Sequence, residues 1–189
     1  MQTFLNTVNG QSVASSKTFD SLNPATGEVI ARIASSSRDE VDAAIAAAKT
    51  AQPAWAALTD AERRAFLHKI ADTIKAHAEP LAQWVTREQG KPLGGDGRGS
   101  VPGSRFELIG CEAWTRATAS IDMPVEVAFE SEQRRDEVHR QPYGVVAAIA
   151  PWNWPLMIAI WQIVPSLRAG NTVVIKPSEY TSACSLEMF

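Results

Sequence analysis

Cysteine is scarce in this sequence: Cys111 and Cys184 are the two thiols among 189 residues. Two thiols cannot build a disulfide framework, and a long chain so poor in cysteine suits a reducing compartment, so a cytoplasmic location is expected. An excess of cations is missing as well. Lys plus Arg number 18 against 21 for Asp plus Glu, a formal net charge of −3, which argues against a phosphate-backbone partner such as nucleic acid. The opening residues Met1 to Gly10 lack the cationic and apolar regions of a secretory leader. His68, His77 and His139 share no ligand-like spacing with one another or with either cysteine, so no metal centre is expected.

Between Gln141 and Leu167 charge vanishes altogether, over a stretch long enough to cross a membrane. Pro151 and Pro155 interrupt it, however, and the carboxamide of Asn153 would be costly in lipid. A buried segment of an α/β protein fits better, because parallel strands read as unbroken apolar runs. With 45% hydrophobic and 21% charged residues, the composition is that of a globular chain rather than a disordered one.

Local signals give the order of elements. Lys17–Leu22 and Glu28–Ala34 flank Asn23-Pro-Ala-Thr-Gly27 and predict a hairpin. Ser37-Arg-Asp-Glu40 and Thr59-Asp-Ala-Glu62 are capping boxes. Behind them, Val41, Ala44, Ile45 and Ala48, then Leu67, Ile70, Ala71 and Ile74, recur at helical spacing. A third helix starts with Pro80 in its first turn and stops at Gly90. Glycines crowd at 94, 95, 97, 99 and 103, but with no strand before them and no Gly-Lys-Ser/Thr ending they read as a loop or weakened helix rather than a phosphate cradle. Ser120–Phe129 and Glu137–Gln141 predict an exposed hairpin joined by a polar linker. Val145–Ile149, Leu156–Arg168 and Thr172–Ile175 then make strand, helix and strand, a βαβ unit with parallel strands.

Ligands of such sheets bind beyond the carboxyl ends of the strands, here Ala150–Asn153 and Lys176–Glu179. Lys176 and Glu179, pinned by Pro177, can receive a ribose between ammonium and carboxylate; equally, they can be a surface ion pair at a helix start. Asn153 lies between two tryptophans and two prolines. Its carboxamide can bond its own turn or donate to an oxyanion that forms only in a transition state. Cys184, in a first helical turn, is read as a small packing residue rather than a reactive thiol.

Five segments in register resemble the aldehyde dehydrogenase superfamily: Asn23-Pro-Ala-Thr-Gly-Glu-Val-Ile30, Glu88-Gln-Gly-Lys-Pro-Leu93, Gln141-Pro-Tyr-Gly-Val-Val146, Ala150-Pro-Trp-Asn-Trp-Pro155 and Arg168-Ala-Gly-Asn-Thr-Val-Val-Ile-Lys-Pro-Ser-Glu179. The resemblance implies an incomplete Rossmann-like parallel sheet with N-terminal helices and a β-hairpin oligomerisation arm. Residues 1–122 would be the N-terminal part of a cofactor-binding domain, 123–142 the arm and 143–189 the start of the βαβ unit. It further implies that Asn153 stabilises the oxyanion and that Ala150, Pro151 and Trp152 lie along the dinucleotide. Lys176, Pro177, Ser178 and Glu179 would meet the adenosine ribose. NAD is expected over NADP because Glu179 repels a 2′-phosphate. An aldehyde would be oxidised to a carboxylic acid through a cysteine thiohemiacetal, and a full-length homologue would self-associate. The family's nucleophilic cysteine and general-base glutamate would lie beyond Phe189, so this chain alone is expected to be inactive; a truncated nucleotide-binding or subunit-interaction module is the alternative.

Overall fold

A computed structural model describes residues 1–98 and 102–189. The chain is an α/β protein, with four small sheets among the described residues. Strand β4 (Lys17–Leu22) pairs antiparallel with β5 (Val29–Ser35) across the expected turn. Its Asn23 side chain accepts from the Ala25 amide at 2.9 Å, and the Gly27 amide donates to the Asn23 carbonyl at 2.7 Å. Strand β1 (Gln2–Phe4) joins β5 in parallel on its other edge. A separate hairpin, β2 (Asn6–Val8) and β3 (Gln11–Val13), turns at Asn9-Gly10, both with positive φ (52° and 71°), as a tight two-residue hairpin loop requires.

Both capping boxes form. Ser37 accepts from the Glu40 amide at 3.3 Å while Glu40 accepts from the Ser37 amide at 2.6 Å, opening α1 (Arg38–Ala56). Thr59 and Glu62 open α2 (Asp60–Ala76) in the same way. The α2 stripe is the core, with Leu67, Ala71 and Ile74 buried. The α1 stripe is not: no α1 residue is fully buried, and Val41, Ala44 and Ala48 line a cavity of about 770 Å³ beside Thr172–Lys176. Helix α3 (Ala78–Gln89) closes at Gly90, whose φ of +90° is left-handed. An L side chain there is strained, and a Cβ would also stand 2.9 Å from Pro24 Cγ.

Helix α4 (Ser104–Ser120) has no counterpart in the sequence reading, and Ser120 belongs to it rather than to a strand. The exposed hairpin is correspondingly shorter than expected: β6 (Glu126–Glu130) and β7 (Arg135–Val138) pair antiparallel, and Glu130, Arg135 and Asp136 of the polar linker are themselves strand. Of the glycine-rich segment, Gly94, Gly95 and Gly97 are non-helical and Gly103 caps α4; Gly99 lies outside the described residues.

The βαβ unit forms as read. Strands β8 (Val145–Ile149) and β9 (Thr172–Lys176) are parallel, in register from Val145 opposite Thr172 to Ile149 opposite Lys176. Helix α5 (Pro155–Arg168) connects them, starting at a proline whose absent N–H is no loss in a first turn. Ala148, Ala150, Ala159 and Ile163 form its seam with the sheet. A last helix, α6 (Ser182–Met188), follows β9. The main core joins Leu67, Leu81, Val85, Leu108, Leu156 and Ile160 from α2, α3, α4 and α5. Among the described residues no helix is long and apolar enough to cross a membrane.

Candidate functional site

The two strand-end loops leave the sheet side by side. The Ala150 amide donates to the Lys176 carbonyl at 3.0 Å, extending the parallel ladder by one bond. Past it, Pro151 is partly buried, while Trp152 and Asn153 are exposed. Trp152 and Glu179 line one cavity of about 660 Å³, with Tyr180, Thr181, Glu88 and Pro24. That volume falls within the range of small-molecule and cofactor sites, roughly 300–1,000 Å³. Lys176, Pro177 and Glu179 also border the larger cavity beside α1.

The Lys176 ammonium stands 3.7 Å from the Glu179 carboxylate, both largely exposed, so the pair is loose and open to a ligand. The Glu179 carboxyl is held below the usual carboxylate range, first by the backbone N–H of its own residue and then by the Lys176 charge. Ser178 is buried and organises the loop. Its carbonyl accepts from the Thr181 amide at 3.1 Å and from the Ser182 hydroxyl at 2.8 Å, and its hydroxyl accepts from the Tyr180 amide at 3.3 Å.

Asn153 is placed differently from the rest. Its backbone carbonyl accepts from Lys91 Nζ at 2.9 Å, while its carboxamide has no partner among the described residues and lines neither cavity. The structure therefore brings Ala150, Trp152, Lys176 and Glu179 together, with Asn153 next along the chain from Trp152 and its amide donors unspent.

Sequence reasoning missed what holds the Asn153 turn. Glu107 is fully buried on α4. One of its carboxylate oxygens accepts from the Leu156 and Met157 amides at 2.8 and 3.1 Å, and the other accepts from Lys91 Nζ at 2.7 Å. The carboxylate thus takes up two of the unsatisfied donors at the start of α5, where negative charge is favoured. The Lys91 ammonium also lies 3.9 Å from the centre of the Trp154 ring. No local pattern marks Glu107 for this; only the Glu88–Leu93 motif pointed to the neighbourhood.

Neither thiol suits nucleophilic work. Burial pushes both Cys111 and Cys184 well above the ordinary thiol range, and the nearby carboxylates of Glu107 and Glu88, respectively, push in the same direction. At the start of α6 it is Glu88 that uses the helix N-terminus. Among the described residues no group of three or more His, Cys, Asp or Glu side chains is placed to hold a metal.

Comparison with known proteins decides the family. The sequence profile of the Aldehyde dehydrogenase family matches residues 12–189. The chain belongs to the aldehyde dehydrogenase family. It is 35% identical over 185 residues to the NADP/NAD-dependent aldehyde dehydrogenase PuuC of Escherichia coli (strain K12), covering 96% of this chain and 36% of that protein. It is 40% identical over 168 residues to a 3,6-anhydro-alpha-L-galactose dehydrogenase of Streptomyces coelicolor, covering 88% and 33%. The solved structure of PnpE from Pseudomonas sp. WBC-3, also known in complex with nicotinamide adenine dinucleotide, superposes with a TM-score of 0.87 at 39% identity, covering 100% of this chain and 38% of that one. The aldehyde dehydrogenase chain thus spans little more than a third of the length of these relatives.

Proposed function

We propose that this chain forms part of the dinucleotide-binding portion of an NAD-dependent aldehyde dehydrogenase that oxidises an aldehyde to a carboxylic acid through a cysteine thiohemiacetal. The observation that carries the reading is the pairing of the two strand ends. The Ala150–Lys176 bond sets them side by side, and Trp152 and Glu179 share a cavity of cofactor size.

In this reading residues 143–189 open a Rossmann-like unit, residues 1–122 are the N-terminal part of the cofactor-binding domain, and the 123–142 hairpin is an arm for self-association in the cytoplasm. The Glu179 carboxylate accepts from the ribose hydroxyls and Lys176 donates to them, with Pro177 and Ser178 fixing their spacing. Ala150, Pro151 and Trp152 lie along the dinucleotide, which when bound supplies the hydride acceptor. The unspent N–H of Asn153 donates to the oxygen of the attacked aldehyde, a role worth roughly 2.7–4 kcal/mol in comparable sites. Because Glu179 stays ionised at neutral pH, it repels a 2′-phosphate, and NAD is favoured over NADP.

Since both thiols are buried and protonated, and the thiolate is the nucleophile, the chain by itself turns over no aldehyde. Calorimetric titration tests the cofactor reading. The chain should bind NAD more tightly than NADP, and Glu179→Gln should narrow that difference. Equal affinities, or a preference untouched by the substitution, would refute it.

A further inference from the structure

The segment from Glu88 to Leu93 serves the N-termini of three helices at once. The Glu88 carboxylate is buried and accepts from the Ala183 and Cys184 amides of α6 at 2.8 Å each, and from the Ser21 hydroxyl at 2.7 Å. The Pro92 and Leu93 carbonyls accept from the Ser104 and Arg105 amides of α4 at 2.9 and 3.1 Å. Lys91 neutralises Glu107, which caps α5, and donates to the Asn153 carbonyl. Between Glu88 and Lys91 the chain turns through the left-handed Gly90, which lets the two side chains diverge to opposite loops.

We propose that Glu88 and Lys91 are positioning residues for the site: Lys91, through Glu107, fixes the turn that presents Asn153, and Glu88 fixes the start of α6 behind Lys176–Glu179. The two loops carry the two halves of the cofactor and substrate reading above, on which the functional weight of this inference rests. Lys91 lines neither cavity, and Glu88 borders the one shared by Trp152 and Glu179 with its carboxylate spent on protein donors. A single rigid segment sets the spacing between the halves, because Glu88 and Lys91 are only three positions apart on the same turn. The buried side chains of Glu88 and Glu107, each fully engaged by protein donors, make the link stiff. A buried helix start left without its acceptor would be paid for by local opening.

Hydrogen exchange on the 189-residue chain, read peptide by peptide, tests the clamp, with NAD titration alongside. Lys91→Met should speed exchange at Leu156 and Met157 by about tenfold or more while leaving Ala183 and Cys184 at the wild-type rate. Glu88→Gln should do the reverse, and Lys91→Arg, which keeps a cation for Glu107 and a donor for Asn153, should restore most of the protection. Both loosening variants should weaken NAD binding by about tenfold through the lost placement of one half-site. Uniform acceleration across the chain, no acceleration at 156–157, or an Arg variant no better than Met would overturn the clamp. Should Lys91→Met fail to fold, Glu107→Gln preserves shape while removing the charge, and unchanged exchange at 156–157 in that variant overturns the clamp equally. Wild-type chain that binds no NAD would strike the dinucleotide reading alone, with the exchange pattern still deciding the clamp.

Discussion

Arg168 is the chain's most deeply buried cation, and removing its partner should be costly. Its side chain is 2% exposed at the last turn of α5. One guanidinium nitrogen bonds the Asp60 carboxylate in the first turn of α2, and another donates to the Ile121 carbonyl at the end of α4, at 3.0 Å. The remaining Nε has no acceptor among the described residues. Asp60→Asn therefore strands a charge that water cannot reach from its own side. Breaking a buried pair in this way costs about 3–5 kcal/mol. Asp60 itself is 47% exposed, so relaxation places the loss near the lower bound, about 3 kcal/mol. For a domain of this size each kcal/mol lowers Tm by roughly 2–4 °C, giving a fall of about 6–12 °C. Arg168→Met removes the charge along with its need and leaves one carbonyl unpaired, for a loss of about 1–3 kcal/mol. The double variant should be no less stable than Asp60→Asn alone. Differential scanning calorimetry of the four proteins checks this; an Asp60→Asn shift below about 2 °C, or additive losses, would refute the buried-charge reasoning.

The same pair sets a pH dependence. Hydrogen bonding from Arg168 holds the Asp60 carboxyl below its ordinary 3.8, so its stabilisation is complete above that value and is lost as pH falls through the lower folded value. Glu79 offers a cleaner titration: Arg105 donates to it at 2.8 and 2.9 Å, and with Gln83 lowers its carboxyl from 4.5 to about 2, so carboxyl NMR should show it ionised at pH 3. Gly90→Ala should destabilise by about 1–3 kcal/mol, because φ there is +90° and Pro24 must yield; an unchanged denaturant midpoint would contradict that. Both thiols should react slowly with a thiol reagent in the folded chain and fully in denaturant, since both are buried; fast labelling in the folded chain would show the burial to be wrong.

Local chemistry made much of this chain legible. The Ser37/Glu40 and Thr59/Glu62 boxes are short-range, and the apolar runs of β8 and β9 are those of a parallel pair with one face packed on α5. Helix α4 was illegible because its buried face mixes polar with apolar residues: Ser104, Glu107, Thr115 and Thr118 lie inside beside Leu108, Cys111 and Ala119, while Phe106, Ile109 and Trp114 lie outside. Its N-cap, Gly103, also offers no side-chain signal. The Asn9-Gly10 hairpin carried a readable turn dipeptide, whereas three-residue β1 exists only through pairing with β5. Within the site, the motif residues were legible but their support was not. Glu107 and Lys91 are 16 positions apart, and a lone glutamate in a helix reads as surface until the fold buries it. The α1 stripe marked its helix correctly, although Val41, Ala44 and Ala48 border the cavity beside β9 and Ile45 is exposed.

The crevice at the strand ends is tested most directly by following backbone amides of the 15N-labelled chain during titration with NAD. Saturable shifts of Ala150, Trp152, Asn153, Lys176, Ser178 and Glu179, with the β6–β7 hairpin unmoved, are expected. Shifts confined to other surfaces, or none at millimolar NAD, would contradict a dinucleotide site between β8 and β9.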